Sequence, residues 1–343
     1  MTALLILHTG GTIGMRPGRQ GLQTDPDFID RLKGFLAGTE FRQYPITVHS
    51  LPPIDSANLQ TKHWQAMATH LHAHWTDYAG FIILHGTDTL AWSAAALSFM
   101  FQGCDKPIIF TGAQIPLSNA GGKQISDAPA NLRLALTAAR QPQLKEVCIA
   151  FGGQLLRGNR ARKIGAQDFV AFVSPNYPVL GRQDEAGKQV FHVEHFLSEK
   201  PQNFCIPRFL PHALAVLPIY PGISSRSVKA LLAEPNLRAI ILQTYGSGNV
   251  PDADSALIES LRAAQEQGVF LVNTTQCWHG QVAQETYATG SILKKLGVIP
   301  LADITPEAAH AKLNFLLASE EDSNELKKKI SLNLAGEMIS PAQ

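Results

Sequence analysis

Residues 4–14 read LLILHTGGTIG. The aliphatic run Leu4–Leu7 is long enough and apolar enough for a strand buried on both faces. It then breaks into a polar corner in which Thr9 and Thr12 flank Gly10 and Gly11. The same design recurs along the chain. GFIILHGTDT (80–89), PIIFTGAQIP (107–116), EVCIAFGG (146–153), AIILQTYGSGN (239–249) and VFLVNTTQC (269–277) are short apolar runs, most ending in small polar residues and glycine. Helical patterns separate them, at LQTKHWQAMATHLHAHW (59–75), LAWSAAALSFMF (90–101) and APANLRLALTAAR (128–140). A further helix is expected near DPDFIDRLKGFL (25–36), with Asp25 as its cap and Pro26 in its first turn. Strand and helix alternating in this way specify an α/β fold with a mostly parallel sheet covered by helices on both faces.

The rhythm is interrupted once. FVAFVSPN (169–176) and QVFHVEHF (189–196) read as short strands that extend the sheet antiparallel. The proline-bearing stretch SEKPQNFCIPRFLP (198–211) follows and reads as a linker. The alternation then resumes and ends in two helices expected to be amphipathic. The expected organisation is a larger N-terminal α/β domain over residues 1–195, a linker over 196–212 and a smaller parallel α/β domain over 213–343.

Composition narrows the function. Among 343 residues, Lys plus Arg number 29 and Asp plus Glu 28. This balance supplies no field for nucleic acid or an anionic membrane, and neither partner is expected. No signal peptide or membrane-spanning run is evident, which points to the cytoplasm. The four cysteines, Cys104, Cys148, Cys205 and Cys277, form no CxxC pair; Cys148 and Cys277 are read as small core residues.

Ligands of open parallel sheets bind beyond the carboxyl ends of the strands. Five polar strand ends therefore suggest a site for a small polar molecule, although each alone could be a turn or a helix cap. The first corner is not a dinucleotide loop: its glycines are Gly10, Gly11 and Gly14, and no helix follows directly. The segment GMRPGRQGLQT (14–24) reads instead as a flexible lid loop. At HGTDT, Thr87 and Asp88 adjoin, and Thr89 is placed to cap the next helix. RGNRARK (157–163) crowds Arg157, Arg160, Arg162 and Lys163, a setting that disfavours protonation of any one of them, while Asp88 would act in the opposite sense. His70 and His74 are i, i+4 neighbours on one helix, but no HExxH carboxylate accompanies them. They are read as an exposed face, and no metal is expected.

Taken in order, TGGTIG, HGTDTL, TGAQIPL, GNRARK, SPN, IYPGIS, YGSGN and TQC resemble the bacterial-type L-asparaginases, with the strongest likeness to the cytoplasmic type I branch. The resemblance runs from about Leu4 to Leu334. It implies a two-domain fold and hydrolysis of L-asparagine to L-aspartate and ammonia without a cofactor. By position it implies Thr12 as nucleophile, and Thr87, Asp88 and Lys163 as a second catalytic group in which Lys163 acts as base through Thr87. Backbone N–H groups at the glycine corners, Gly11 included, would line the substrate and the oxyanion. Asp55 and Ser56, in PPIDSAN, would hold the α-amino and α-carboxylate ends, with Asp88 sharing the amino group. A homodimer or a homotetramer built as a dimer of dimers is also implied.

The chain departs from the family pattern in three places. Leu22 stands where the lid tyrosine is expected, which leaves open a preference for glutamine or another small amide, or a relative that binds an amino acid without turnover. The stretch SNAGGKQISDAPAN (118–131) is longer than its type I counterpart and has Ile125 where an arginine is expected. Gln243 and Arg162 differ from the residues of the regulatory asparagine site found in some type I enzymes, so that regulation is expected to be absent or altered.

Overall fold

A computed structural model describes residues 3–19, 21–119, 125–184, 188–198, 202–284 and 288–340. The chain divides into two compact units, Met1–Ile206 and Pro207–Gln343. Within the longer stretch 118–131, residues 120–124 lie outside the described residues, whereas Ile125 is described and 80% exposed.

The first unit runs β1 (Leu4–Gly10), β2 (Met15–Gly18), β3 (Gly21–Thr24), α1 (Phe28–Ala37), β4 (Ile46–Ile54), α2 (Thr61–Ala73), β5 (Gly80–Leu84) and α3 (Leu90–Met100). It continues with β6 (Ile108–Thr111), α4 (Ala128–Ala138), β7 (Val147–Phe151), β8 (Gln154–Arg157), β9 (Arg162–Lys163), β10 (Phe172–Val173), β11 (Gly181–Gln183) and β12 (Gln189–Phe191). Among the described residues one sheet has the order β12-β11-β8-β7-β6-β5-β1-β4. The strands from β4 to β7 are parallel, and β8, β11 and β12 extend the sheet antiparallel. Every residue of β1 is buried. Leu4 and Ile6 pack with Leu32 of α1 and Leu132 and Leu136 of α4; the pleat directs Leu5 and Leu7 to the opposite face. The edge strand β4 carries Pro52 and Pro53, which cannot donate ladder hydrogen bonds and so belong at an edge.

Two local expectations fail here. The segment after the first corner is not an irregular loop: β2 and β3 form an antiparallel hairpin with Met15 opposite Thr24 and Pro17 opposite Leu22. Its base is fastened by the Asp25 N–H donating to Gly14 O (3.0 Å) and the Ser118 hydroxyl donating to Met15 O (3.0 Å). Three glycines and a proline hide any strand alternation in this segment. Asp25 does not cap α1 either. It is buried, accepting from the Asp27 N–H (3.1 Å) and pairing with Arg31 (3.0 Å), while Asp27 holds the cap position.

The second unit contains β13 (Leu214–Pro218), α5 (Ser225–Leu232), β14 (Ala239–Thr244), α6 (Ser255–Glu266), β15 (Phe270–Thr275), α7 (Ala288–Lys295), β16 (Ile299–Pro300), α8 (Pro306–Ser319) and α9 (Ser323–Ser331). Its sheet, β13-β14-β15-β16, is wholly parallel. Together the units make a two-domain α/β protein. The helix α8 is buried nearly all round rather than amphipathic, and Cys277 is exposed rather than in the core. A charge pair accounts for the lysine that α8 buries. Lys312 Nζ lies 2.8 Å from Glu337 Oε1, with both side chains fully buried. The ammonium also donates to Leu332 O, and the carboxylate accepts from the backbone of Leu334 and Ala335. Burial lowers the Lys312 pKa, and Glu337 opposes that shift.

Removing one member strands the other charge. Lys312→Met is expected to destabilise the protein by about 3–5 kcal/mol in urea unfolding. A loss no larger than that of an ordinary surface substitution would contradict this reading of the pair.

Candidate active site

The carboxyl ends of β1, β4 and β5 meet at backbone contact. At Gly10 (φ 111°) a Cβ would fall 2.3 Å from Ile54 O, at the end of β4. At Gly11 (φ 86°) it would fall 2.3 Å from Gly86 N, just past β5. Both residues adopt backbone conformations that L side chains rarely take, and neither site has room for one. Gly86 is equally confined, since a Cβ there would meet Ser56 Oγ at 2.4 Å and Gly11 Cα at 3.3 Å. The chain thus brings three sequence-distant corners together: Gly11 before Thr12, Gly86 before Thr87, and Ser56 after Asp55.

Thr12 opens a short 3-10 turn, Thr12–Gly14, and is partly exposed. Thr87 is buried, whereas Asp88 keeps 62% of its side chain exposed. Lys163, on the short strand β9, arrives from the far end of the unit. Its Nζ donates to Thr87 Oγ1 at 2.9 Å and to Asp88 Oδ1 at 2.8 Å, and only 18% of the side chain is exposed. The pairing of Lys163 with Phe172 of β10 holds it there. Asp55 is exposed and accepts from the Ala57 N–H at 3.0 Å, which starts the turn that carries the buried Ser56. The structure therefore gathers Gly11, Ser56, Thr87, Asp88 and Lys163 around the corner that bears Thr12, with Asp55 adjoining.

Two cations of RGNRARK, Arg157 and Arg160, lie against the same Tyr177 ring, 4.1 and 5.3 Å from its centroid. Arg157 is also paired with Glu146 (2.7 Å), both side chains at most 4% exposed. The carboxylate raises the Arg157 pKa against the lowering effect of burial. Arg160 is buried beneath the Tyr177 ring. Glu146 compensates Arg157 and so reduces its share of the positive field that the sequence suggests. Thr89 holds the N-cap position of α3, as the sequence suggests, but its hydroxyl makes no bond to the helix and instead donates to Ser56 O (2.9 Å), joining the HGTDT corner to the Asp55–Ser56 turn.

Several supporting residues were given no role by the sequence. Buried His85 precedes Gly86 and sits in a relay. Trp64 Nε1 donates to Ser93 Oγ (3.0 Å), Ser93 Oγ lies 2.9 Å from His85 Nε2, and His85 Nδ1 lies 2.8 Å from Gly86 O. This pattern assigns the neutral Nδ1–H tautomer. Thr9 donates to Leu84 O at 2.9 Å, tying β1 to β5 below the corner. Beyond β6, the Asp127 carboxylate accepts from the Gln114 and Ile115 N–H groups and from Asn131 Nδ2. Asn131 Oδ1 accepts from Gly152 N–H, and Gln114 Nε2 donates to Asp168 O (3.1 Å), in the loop after Lys163. The stretch SDAPAN contains Asp127 and Asn131, and its buried polar spacing was the available signal.

Burial depresses the pKa of His85 from 6.5 to about 4, with the Gly86 carbonyl partly opposing it. Between those pH values the unfolded chain binds this proton and the folded chain does not, so stability rises with pH. The contribution is complete above about pH 6.5 and is lost as pH falls toward 4. Thermal unfolding across this window is expected to show a shallower acid decline in His85→Gln than in the wild type; identical slopes would contradict a buried neutral imidazole.

The Asparaginase, N-terminal family model matches residues 3–195, and the Glutaminase/Asparaginase C-terminal domain model matches residues 214–329. The chain is 39% identical to L-asparaginase 1 of Escherichia coli (strain K12) over 343 residues, covering 98% of each protein. Its fold matches the crystal structure of L-asparaginase I from Vibrio cholerae with a TM-score of 0.88 and 38% identity, covering 98% of this chain and 99% of that one. The thermostable L-asparaginase from Thermococcus kodakarensis matches with a TM-score of 0.86 and 28% identity, covering 99% and 100%. Two domain models in succession and near-complete alignment of both units lead to one conclusion: the chain belongs to the asparaginase family.

Proposed function

We propose that this protein hydrolyses the side-chain amide of L-asparagine to L-aspartate and ammonia through a covalent acyl-enzyme on Thr12. The observation that carries the reading is the contact of Lys163 Nζ with both Thr87 Oγ1 (2.9 Å) and Asp88 Oδ1 (2.8 Å), one residue beyond the Gly11–Gly86 contact. The same geometry serves two protonation states. As an ammonium, Lys163 donates to both oxygens; as a free amine, it accepts the Thr87 hydroxyl proton while Asp88 stands ready to stabilise the ammonium that forms.

In the first half-reaction the Thr12 hydroxyl oxygen attacks the amide carbon. Its proton passes by way of Thr87 and Lys163 to the leaving nitrogen, the C–N bond breaks, and ammonia departs. In the second, water adds to the ester carbon and gives up a proton by the same route, and the C–O bond to Thr12 breaks to release aspartate. Backbone N–H groups at the glycine corners offset charge on the carbonyl oxygen. Asp55 and Ser56 hold the α-amino and α-carboxylate groups, and the exposed side of Asp88 shares the ammonium. This assignment calls on no cofactor and no nucleic-acid or membrane partner; a cytoplasmic homodimer or dimer of dimers is its setting. Among the described residues no helix is long and apolar enough to cross a membrane.

Leu22 supports a second reading, an amidohydrolase with a different amide preference. It lies on β3 with 49% of its surface exposed, and it offers no hydroxyl to relay a proton.

Ammonia release from asparagine is expected to fall by roughly 10³-fold or more in Thr12→Ala and by roughly 10²–10⁴-fold in Lys163→Met. Full activity in Thr12→Ala would eliminate the acyl-enzyme. Leu22→Tyr, compared on asparagine, glutamine and short amides, separates the two readings: a selective gain on asparagine identifies Leu22 as the cause of a shifted preference, and unchanged ratios remove the second reading.

A further inference from the structure

The sequence placed His70 and His74 on one helix face, read as exposed with no metal expected; in the structure both are half-buried. The fold adds a third imidazole, from 21 residues before His70 in the chain. His49 lies on β4 in register with Leu7 of β1, and its ring faces the other two. The ring centroids form a nearly equilateral triangle, with His49–His70 at 5.1 Å, His49–His74 at 5.0 Å and His70–His74 at 5.0 Å. The rings are tilted to one another by 84°, 70° and 51°, so they do not stack. One nitrogen from each lies within 4.8 Å of the others, and His49 Nδ1 and His70 Nε2 are 2.9 Å apart.

We propose that His49, His70 and His74 form a binding site for a divalent transition metal of the zinc class. The geometry can be derived independently. With a metal–nitrogen bond of about 2.0–2.1 Å and tetrahedral angles, imidazole centroids lie about 3.2 Å from the ion and about 5.2 Å from one another. The observed triangle is within a few tenths of an ångström of that spacing. Nitrogen-only ligation selects zinc, copper, nickel or cobalt over magnesium or calcium. The rings are half-buried, so an ion can enter from solvent, and three protein ligands leave a fourth position for water. Asp77 Oδ2 lies 3.2 Å from His74 Nδ1. With His74 ligating through Nε2, that carboxylate is the outer partner that orients a metal-bound imidazole.

The site joins helix α2 to the edge strand β4. His49 precedes Asp55 by six residues, about 20 Å of extended strand, so the ion lies away from the Thr12 corner. Its action is structural: it would staple the strand that delivers Asp55 and Ser56.

The test uses the untagged full-length protein, stripped with a chelator and titrated with Zn²⁺ by calorimetry and with Co²⁺ by visible absorption. One equivalent is expected to bind, with a raised thermal midpoint and the ligand-field bands of four-coordinate Co²⁺. His70→Ala and His74→Gln should each weaken binding by at least about 100-fold, whereas His72→Ala, outside the triangle on the same helix, should leave it intact. Binding that survives both His70→Ala and His74→Gln, or the absence of saturable uptake by the wild type, overturns the proposal.

Discussion

The backbone of Gly11 rests against the backbone of Gly86, and the geometry of the candidate active site depends on that contact. A single methyl group at position 11 would have to occupy space 2.3 Å from Gly86 N. Only bare backbone lets the ends of β1 and β5 approach this closely, and each glycine is followed by a threonine with a proposed role. The contact also explains why two adjacent glycines stand at the end of so rigid a strand. Gly10 closes against the end of β4 and Gly11 against the loop after β5, so one corner is pressed between neighbours on both sides. Glycine here provides proximity rather than looseness.

Such a contact must be held from behind, because nothing in it is strongly attractive. The side chains below it supply the restraint. Thr9 bonds to the last carbonyl of β5, and the Trp64–Ser93–His85 relay fixes the carbonyl of Gly86 itself. Thr89 anchors the Ser56 carbonyl. Each is a buried or half-buried polar group whose hydrogen bonds are made within the unit, so breaking one exposes a desolvated partner. Lys163 is positioned differently, by a two-residue ladder and by a loop that Gln114 and Asp127 secure. The base of the proposed mechanism is therefore held by its own strand and loop, 76 residues of chain away from the threonine it contacts.

The sequence made β1, β5, β6 and β7 legible because each is buried on both faces and reads as an unbroken apolar run: Leu4–Leu7, Phe81–Leu84 and Ile108–Phe110 need no context. The antiparallel extension was readable only in part: 189–196 holds β12, but 169–176 holds β10, which pairs with β9 in a separate two-stranded sheet rather than extending the main one. Features defined by distant contacts were not readable in this way. The β2–β3 hairpin has glycine and proline where alternation should appear, and its order comes from bonds at its base. Asp25 looked like a cap and is a buried ion-pair partner; Thr89 takes the cap position, but its hydroxyl bonds across to Ser56. Arg157 sits beside Arg160 on the Tyr177 ring, but its charge is met by Glu146, just before β7, a partner the motif does not show. His49 carried no signal until β4 was laid beside α2. For the candidate site, the motifs supplied the residues, and the fold supplied the reason that Gly11, Gly86 and Ser56 must be neighbours.

The most direct test of the central claim is intact-protein and peptide mass spectrometry on the enzyme quenched in acid during turnover of asparagine. The account predicts a population carrying one added aspartyl acyl group, located on the peptide that contains Thr12 and absent from Thr12→Ala. An acyl group found on Thr87 or elsewhere, in a protein that releases ammonia at full rate, would contradict it.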